Sequence, residues 1–480
     1  RFPSFTRRML GDLHSPAHMV ISAAEPPPAP APTPSPTPAC KAAEDQFCPG
    51  LAGAGLSCEN CVIKFQSEFL KAGCYAKHAR HAFIKAWCDS GSHTRDTPPV
   101  SAANSSFVMR NCSFFGADGI SLTYVGSNGT FNNNLWQSND WSCHDVDRHL
   151  GAGCVLVANT NSTGDLFTRN TFIGNGPSVM YECGVNATMT LNHCIGQADI
   201  DNDGVCLQIR SSAATGTTMA YNWVERSAKG LRLDSGSNTA FVPGEVNNTI
   251  HANVALLTDG FELKNDFNTY TNNLALWQPP NGTVRSGAST ASEVFRVDNT
   301  RFKGENSHSI VQSNVASSWT SPLAGVTSPD HPNVLNATIG LEMRDPLNLD
   351  FRPRPNTLLA ESKAGPYASQ APIDGTKWLK TEQGIGWNSG CGTYWIPGRR
   401  NWRPGSPVPP DGSTDVAPDV ELMFLPSTRA STTNTTHLVS FGSAPDSLQP
   451  LSPALLPGCN IQSLSVVVHG AIWAFSVRSN

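Results

Sequence analysis

The chain has 480 residues, with 38 acidic and 33 basic side chains, a formal net charge of -5 and a pI near 6.2. That balance leaves no electrostatic footprint for nucleic acid, and no Lys/Arg run marks a membrane surface. The length exceeds a typical domain, so two or three units, or one long repetitive fold, are expected.

Residues 24–39, "AEPPPAPAPTPSPTPA", carry a proline at nearly every second position and read as an extended, semi-rigid linker. The expectation for residues 1–39 is therefore a disordered start followed by this linker. The first residue is Arg1 and no clean signal peptide precedes it, which reads as a processed or truncated form.

Six cysteines follow: Cys40, Cys48, Cys58, Cys61, Cys74 and Cys88. Between them, "CVIKFQSEFLKAGC" and "AKHARHAFIKAWC" have helical spacing, so residues 40–90 read as two helices stapled by three disulfides, with the pairing left open. The "CENC" stretch also fits redox chemistry or zinc, but it has neither a βαβ context nor a second matching CxxC.

Nine Asn-x-Ser/Thr sequons lie at Asn104, Asn111, Asn128, Asn161, Asn186, Asn247, Asn281, Asn336 and Asn434, beside fourteen cysteines in all. Together they favour a secreted or cell-surface glycoprotein, although an Asn-rich chain raises the sequon count by itself. No apolar run reaches the ~18 residues of a membrane span.

From about residue 100 a pattern apolar-x-x-Asn-x-small/apolar recurs, in "VMRNCS", "FNNNLW", "FTRNTF", "MTLNHC", "MAYNWV", "IHANVA", "YTNNLA" and "VQSNVA". Its asparagines, Asn111, Asn134, Asn170, Asn192, Asn222, Asn253, Asn273 and Asn314, are 20 to 41 residues apart, an interval that fits one superhelical coil plus loops. A second motif runs in phase: Gly119, Gly153, Gly204, Gly230 and Gly260 each precede an alternating strand, and "PSVMYEC" fills one slot without the Gly. Each coil should hold at least two short strands that pair with those above and below into long parallel sheets. The recurrent Asn fits an inward turn position whose amides bond from coil to coil.

These repeats resemble right-handed parallel β-helix proteins of the pectate-lyase-like superfamily, over roughly residues 98–370. "RDPLNLDFRPRPNTLLAES" (344–362) resembles the closing segment of secreted members, with Asn356-Thr357 in place of the usual Gly-Ser. "YWIPGRR" and "PVPPDGSTDVAPDVELMFLP" resemble the junction into a small β-sandwich. The resemblance implies a mainly β chain: the small cysteine-rich helical module, the β-helix, a connecting segment over 371–408 and a fibronectin-type-III-like sandwich over 409–480. It implies carbohydrate activity without fixing the reaction, because this fold hosts lyases, hydrolases, epimerases and adhesins.

Aligning the Gly motifs puts residues two and four after each Gly in outward columns ~4.8 Å apart per coil. One column reads Ser121, Val155, Cys206, Arg232, Glu262; the next reads Thr123, Val157, Gln208, Asp234, Lys264. The turns add Asp201, Asp203, Lys229, Asp259 and His149. A polysaccharide lyase acting on a uronic-acid chain by β-elimination must neutralise the substrate carboxylate and place a base beside it. In that reading Lys264 or His149 is the base, Arg232 and Asp234 complete the catalytic set, and Gln208, Lys229, Asp259 and Glu262 bind substrate. Asp201, Asp203 and Glu262 would hold Ca²⁺ if a cation is used.

A glycoside hydrolase would instead use two carboxylates drawn from Asp203, Asp234 and Asp259. "TDGFEL" is similar to a stretch of polygalacturonases, whose Gly-His-Gly and Arg-Ile-Lys motifs are absent here. A third alternative is a non-catalytic glycan-binding or cell-surface protein, in which Arg232–Glu262 and Asp234–Lys264 merely neutralise one another.

Overall fold

A computed structural model describes residues 38–49, 65–74, 100–139, 155–277, 295–297, 306–367, 394–413 and strands between 421 and 479, apart from short stretches inside these ranges. The chain divides into two units, residues 1–97 and 98–480.

In the first unit, helices Pro38–Phe47 and Gln66–Lys71 are cross-linked by the Cys40–Cys74 disulfide, and the Phe47 and Phe65 rings stack at 5.3 Å. Cys48 is also disulfide-bonded and buried. Cys58, Cys61 and Cys88 lie outside the described residues, as does the proline-rich segment.

The second unit is built of stacked parallel strands, an arrangement compatible with a parallel β-helix. The expectation of at least two strands per coil resolves into three, which form an eight-, an eight- and a nine-stranded parallel sheet. The first sheet holds the Gly-motif strands and those in phase with them, among them Val179–Cys183, Val205–Arg210, Lys229–Asp234, Phe261–Leu263 and Phe295–Val297. Alternation explains its interior: Tyr181, Leu207, Leu231, Phe261 and Phe295 share one register, Cys183, Ile209, Leu233, Leu263 and Val297 the next, and all ten are fully or nearly fully buried. The second and third sheets add Phe131, Phe167 and Met189 and the stacked rings of Phe114, Trp136 and Phe172.

The asparagines of the repeat sit where the second sheet turns into the third. Asn134, Asn170, Asn192, Asn222, Asn253, Asn273 and Asn314 are each fully buried. From Asn170 on, each accepts at Oδ1 from the backbone N–H and the side-chain amide of the coil before, and every one spends its own Nδ2 on the next Asn and on a strand carbonyl. For Asn222 these contacts are Asn192 N (2.8 Å), Asn192 Nδ2 (3.0 Å), Asn253 Oδ1 (2.9 Å) and Met189 O (3.0 Å).

The ladder needs a left-handed residue just before each Asn, and the chain supplies Asn133, Arg169, Leu191, Tyr221, Ala252, Asn272 and Ser313 there, with φ between 52° and 61°. For the non-Asn members that conformation costs roughly 1–2 kcal/mol each, which the satisfied amides offset.

Two readings of the repeat are corrected. Cys112, not Asn111, holds the first ladder position, since its N–H donates to Asn134 Oδ1. Asn111 falls one residue earlier, at φ 58°, and accepts from Asn133 Nδ2. At the other end Asn333 adds a rung beneath Asn314 that the pattern did not reveal.

Outward residues of the third sheet, Trp223, Val254, Leu274 and Val315, are apolar and buried. They are covered by Ile339, Met343, Phe351, Leu359, Tyr367, Tyr394, Trp395 and Ile396. The segment 344–362 read as a closing element thus contributes an antiparallel pair, Met343–Asp345 with Asp350–Pro353, and a short helix Leu358–Ser362 capped by Thr357. Residues 394–400 run along the ladder turns: Gly398 N donates to Leu191 O, Arg399 N to Thr171 Oγ1 and Arg400 N to Asn133 Oδ1. Gly398 is required there, because at φ 95° a Cβ would lie 2.9 Å from that of His193.

Beyond this lie two three-stranded antiparallel sheets, Gly405–Val408, Glu421–Leu425 and Gln462–Ser465, and Gln449–Leu451, His437–Gly442 and Ala474–Ser479. The strand Gly405–Val408 falls within the stretch read as connecting.

One disulfide, Cys194–Cys206, ties a third-sheet strand to the following first-sheet strand across a turn. Reducing it, or replacing both cysteines by Ala, should lower unfolding free energy by about 2–3 kcal/mol, read as a shifted urea midpoint, while leaving the far-UV spectrum unchanged.

Candidate functional site

The register of the first sheet decides which outward residues meet. Glu182, Gln208, Arg232, Glu262 and Arg296 occupy one row, and Arg210 is in register with Asp234 in the other. This corrects the columns drawn from the glycines. The spacing from Gly to the first inward residue is not constant: it is one residue for Gly230 and Gly260 (to Leu231 and Phe261) but three for Gly204 and four for Gly153 (to Leu207 and Val157). Gln208 therefore belongs beside Arg232, whereas Cys206 is buried in the disulfide and Val157 takes an inward register with Leu122 and Tyr181. Ser121, expected outward, is fully buried, and Val155 pairs with Val179 at the strand start. A loop of variable length between Gly and strand hides such shifts from a motif-based alignment.

Six charged side chains converge on this row. Glu262 lies 2.9 Å from Lys229, 3.1 Å from Lys264, 3.6 Å from Arg296 and 4.0 Å from Arg232. Asp234 lies 2.7 Å from Lys264 and 3.6 Å from Arg232. Arg232 also donates from Nε and Nη2 to Gln208 Oε1, at 3.1 and 2.6 Å. The pairs anticipated from sequence, Arg232–Glu262 and Asp234–Lys264, are thus formed, within a larger network that Lys229 and Arg296 complete. Sequence reasoning missed Arg296 because no Gly precedes "VFRVD" closely enough to enter the alignment.

The network is covered rather than open. Side-chain exposure is 5% for Arg232, 10% for Lys264 and 11% for Glu262, against 43% for Arg296. Burial by itself would raise the Glu262 carboxyl, but Lys229, Lys264 and Arg232 outweigh it and hold the pKa down at about 2. The count is four cations against two carboxylates, an excess of 4 − 2 = +2 on an acidic chain. Gln208 is fully buried and its Nε2 has no partner.

Asp259 is half-buried at the turn entering Phe261. His149, Asp201 and Asp203 lie outside the described residues, so the proposed base and cation ligands among them are not placed. Among the described residues no group of three His, Cys, Asp or Glu side chains gathers to hold a metal ion, and no helix is long and apolar enough to cross a membrane. Of the sequons, Asn111, Asn128, Asn186 and Asn247 are exposed and Asn336 half-buried. Asn104, Asn161, Asn281 and Asn434 lie outside the described residues.

The geometry defines a mainly β protein with long stacked parallel sheets, one of which carries a largely buried cluster of four cations and two carboxylates. Comparison with protein-family models, with curated proteins and with solved structures gives no match.

Proposed function

We propose that this is a secreted, carbohydrate-active protein whose first sheet engages an acidic, uronic-acid-containing polysaccharide, with β-elimination as its reaction. In this reading it belongs with the right-handed parallel β-helix proteins of pectate-lyase-like type and carries a fibronectin-type-III-like module at its C-terminal end. The observation that carries the proposal is the surplus of two positive charges in the Gln208–Arg232–Glu262–Arg296 row and its neighbours. A sugar carboxylate approaching there meets the Arg296 guanidinium, the most exposed member of the network. The described disulfides and the sequons support an oxidising, secretory environment.

A glycoside hydrolase would draw two free carboxylates from Asp203, Asp234 and Asp259, and Asp234 is already tied to Lys264 at 2.7 Å and Arg232 at 3.6 Å. A non-catalytic glycan-binding protein is favoured by one specific observation: Lys264, the base in the lyase reading, already donates to Asp234 and sits 3.1 Å from Glu262.

One experiment separates the two. Alginate, pectate and sulfated polysaccharides are incubated with the protein, with and without chelator, and both unsaturated-uronate absorbance and polymer binding are followed. Elimination should appear on at least one polymer and be lost in Lys264→Ala and Arg232→Ala variants that retain the wild-type far-UV spectrum. Binding without absorbance would leave the non-catalytic reading standing, and neither signal on any polymer would end the proposal.

A further inference from the structure

Sequons are usually scattered, but three of them here share one column. The residue at the turn from the first sheet to the second is Ser106, Asn128, Gly164, Asn186, Gly216, Asn247 and Phe267 on successive coils, each in the left-handed region with φ between 51° and 74°, and Asn and Gly alternate over the middle five. The register two residues later fixes the alignment, because Thr130, Leu166, Thr188, Thr218 and Thr249 pair in order along the second sheet. Each Asn of the column is therefore followed, two residues on, by an outward, half-exposed Thr: Thr130, Thr188 and Thr249.

A left-handed turn alone is served by Asn or Gly on every coil. It does not ask for Asn on alternate coils here; the Thr two residues on is a feature of the strand itself, since Thr218 also follows Gly216. Alternation has a spatial consequence. A Cβ at Gly164 would lie 2.7 Å from Asn128 Oδ1, and one at Gly216 would lie 2.2 Å from Asn186 Oδ1. Each glycine thus makes room for the amide of the coil before it. With coils ~4.8 Å apart, amides on alternate coils are separated by ~10 Å, whereas on consecutive coils they would be packed at half that distance. A branched sugar on each Asn fits the wider spacing and not the narrower one. All three asparagines are exposed. Asn111 differs, because its Oδ1 is taken by Asn133 Nδ2.

We propose that Asn128, Asn186 and Asn247 are N-glycosylated and carry a row of glycans along this turn, spaced two coils apart. In the transfer, each Asn Nδ2 forms a bond to the anomeric carbon of a lipid-linked oligosaccharide diphosphate. The anomeric C–O bond to the diphosphate breaks, the amide loses one proton, and the lipid diphosphate leaves. The row follows the sheet that carries the cationic residues, yet it does not depend on what that sheet binds.

The full chain, secreted from a glycosylating eukaryotic host, is digested and its glycopeptides are mapped by mass spectrometry. Peptide N-glycosidase in heavy-oxygen water marks each formerly occupied Asn as labelled Asp. All three positions should be labelled. Thr130→Val, Thr188→Val and Thr249→Val should each abolish the label at the Asn two residues earlier, and Thr→Ser should keep it. Secretion yield of each Thr→Val variant reports folding separately, because the mapping needs only the protein that is secreted. Two or more of the three asparagines unlabelled in the wild-type secreted protein, or labelling that survives Thr→Val, would overturn the proposal.

Discussion

Replacing Asn222 by Leu should destabilise the second unit by about 4 kcal/mol. The side chain is fully buried and makes four hydrogen bonds, two accepted from Asn192 and one each donated to Asn253 Oδ1 and Met189 O. A Leu of similar size fills the space but strands the Asn192 backbone N–H and the Met189 carbonyl, and each buried orphan costs roughly 1–3 kcal/mol. The turn also loses what held Tyr221 in the left-handed region at φ 59°.

The same replacement at Asn333, the half-buried last rung, should cost about 1–2 kcal/mol, because water can reach the groups it releases. Urea denaturation followed by far-UV circular dichroism measures both. Equal costs at the two positions would mean that the ladder does not act as a buried, cooperative column.

How legible this was depends on the residue. The ladder shows in the sequence because Asn recurs at a fixed place relative to apolar neighbours, and a side-chain amide that both donates and accepts is the residue type that can bond to its own copy. The first rung misleads, because "VMRNCS" contains an Asn one residue too early and the ladder position has become Cys112. Asn333 is invisible because its coil has shrunk to the two-residue strand Val334–Leu335.

The interior was equally readable at Leu231, Phe261 and Leu263, where alternation is strict. The third sheet was not foreseen as a separate element: its strands are buried on both faces, so Val254–Leu256 and Leu274–Leu276 lack alternation. What buries their outer face is the distant segment 339–396, a contact that no local pattern encodes.

The candidate site was half legible. Arg232, Asp234, Glu262 and Lys264 were found because the Gly230 and Gly260 coils happen to align without a shift. Gln208 was put in the wrong column and Arg296 was overlooked, because register depends on loop lengths that hydrogen bonding, rather than composition, decides.

The ion-pair network makes the second unit acid-sensitive in a defined window. Glu262 is held near pKa 2, below its ordinary 4.5, because Lys229, Lys264 and Arg232 more than compensate its burial. A carboxyl depressed in the folded state binds fewer protons there than when unfolded, so its contribution is fully present above about pH 4.5. That contribution drains away as pH falls towards 2. Its size follows from the shift, about 3 kcal/mol, and Glu225, which burial would raise but His193 and Arg226 hold down, adds in the same direction.

Unfolding free energy measured between pH 7 and pH 2 should therefore fall for the wild type more steeply than for Glu262→Gln. The variant itself should be about 3 kcal/mol less stable at neutral pH, because three buried cations lose their main counter-charge. The two curves should draw together as pH falls through 2, where the wild-type carboxyl is half protonated. If Glu262→Gln shows the same pH slope as the wild type, the carboxylate is not what the surrounding cations are arranged around. The surplus charge on which the polysaccharide proposal rests would then have to be recounted. If the slope flattens as expected, Glu262 is the counter-charge that holds the surrounding cations together, the arrangement on which the polysaccharide proposal rests.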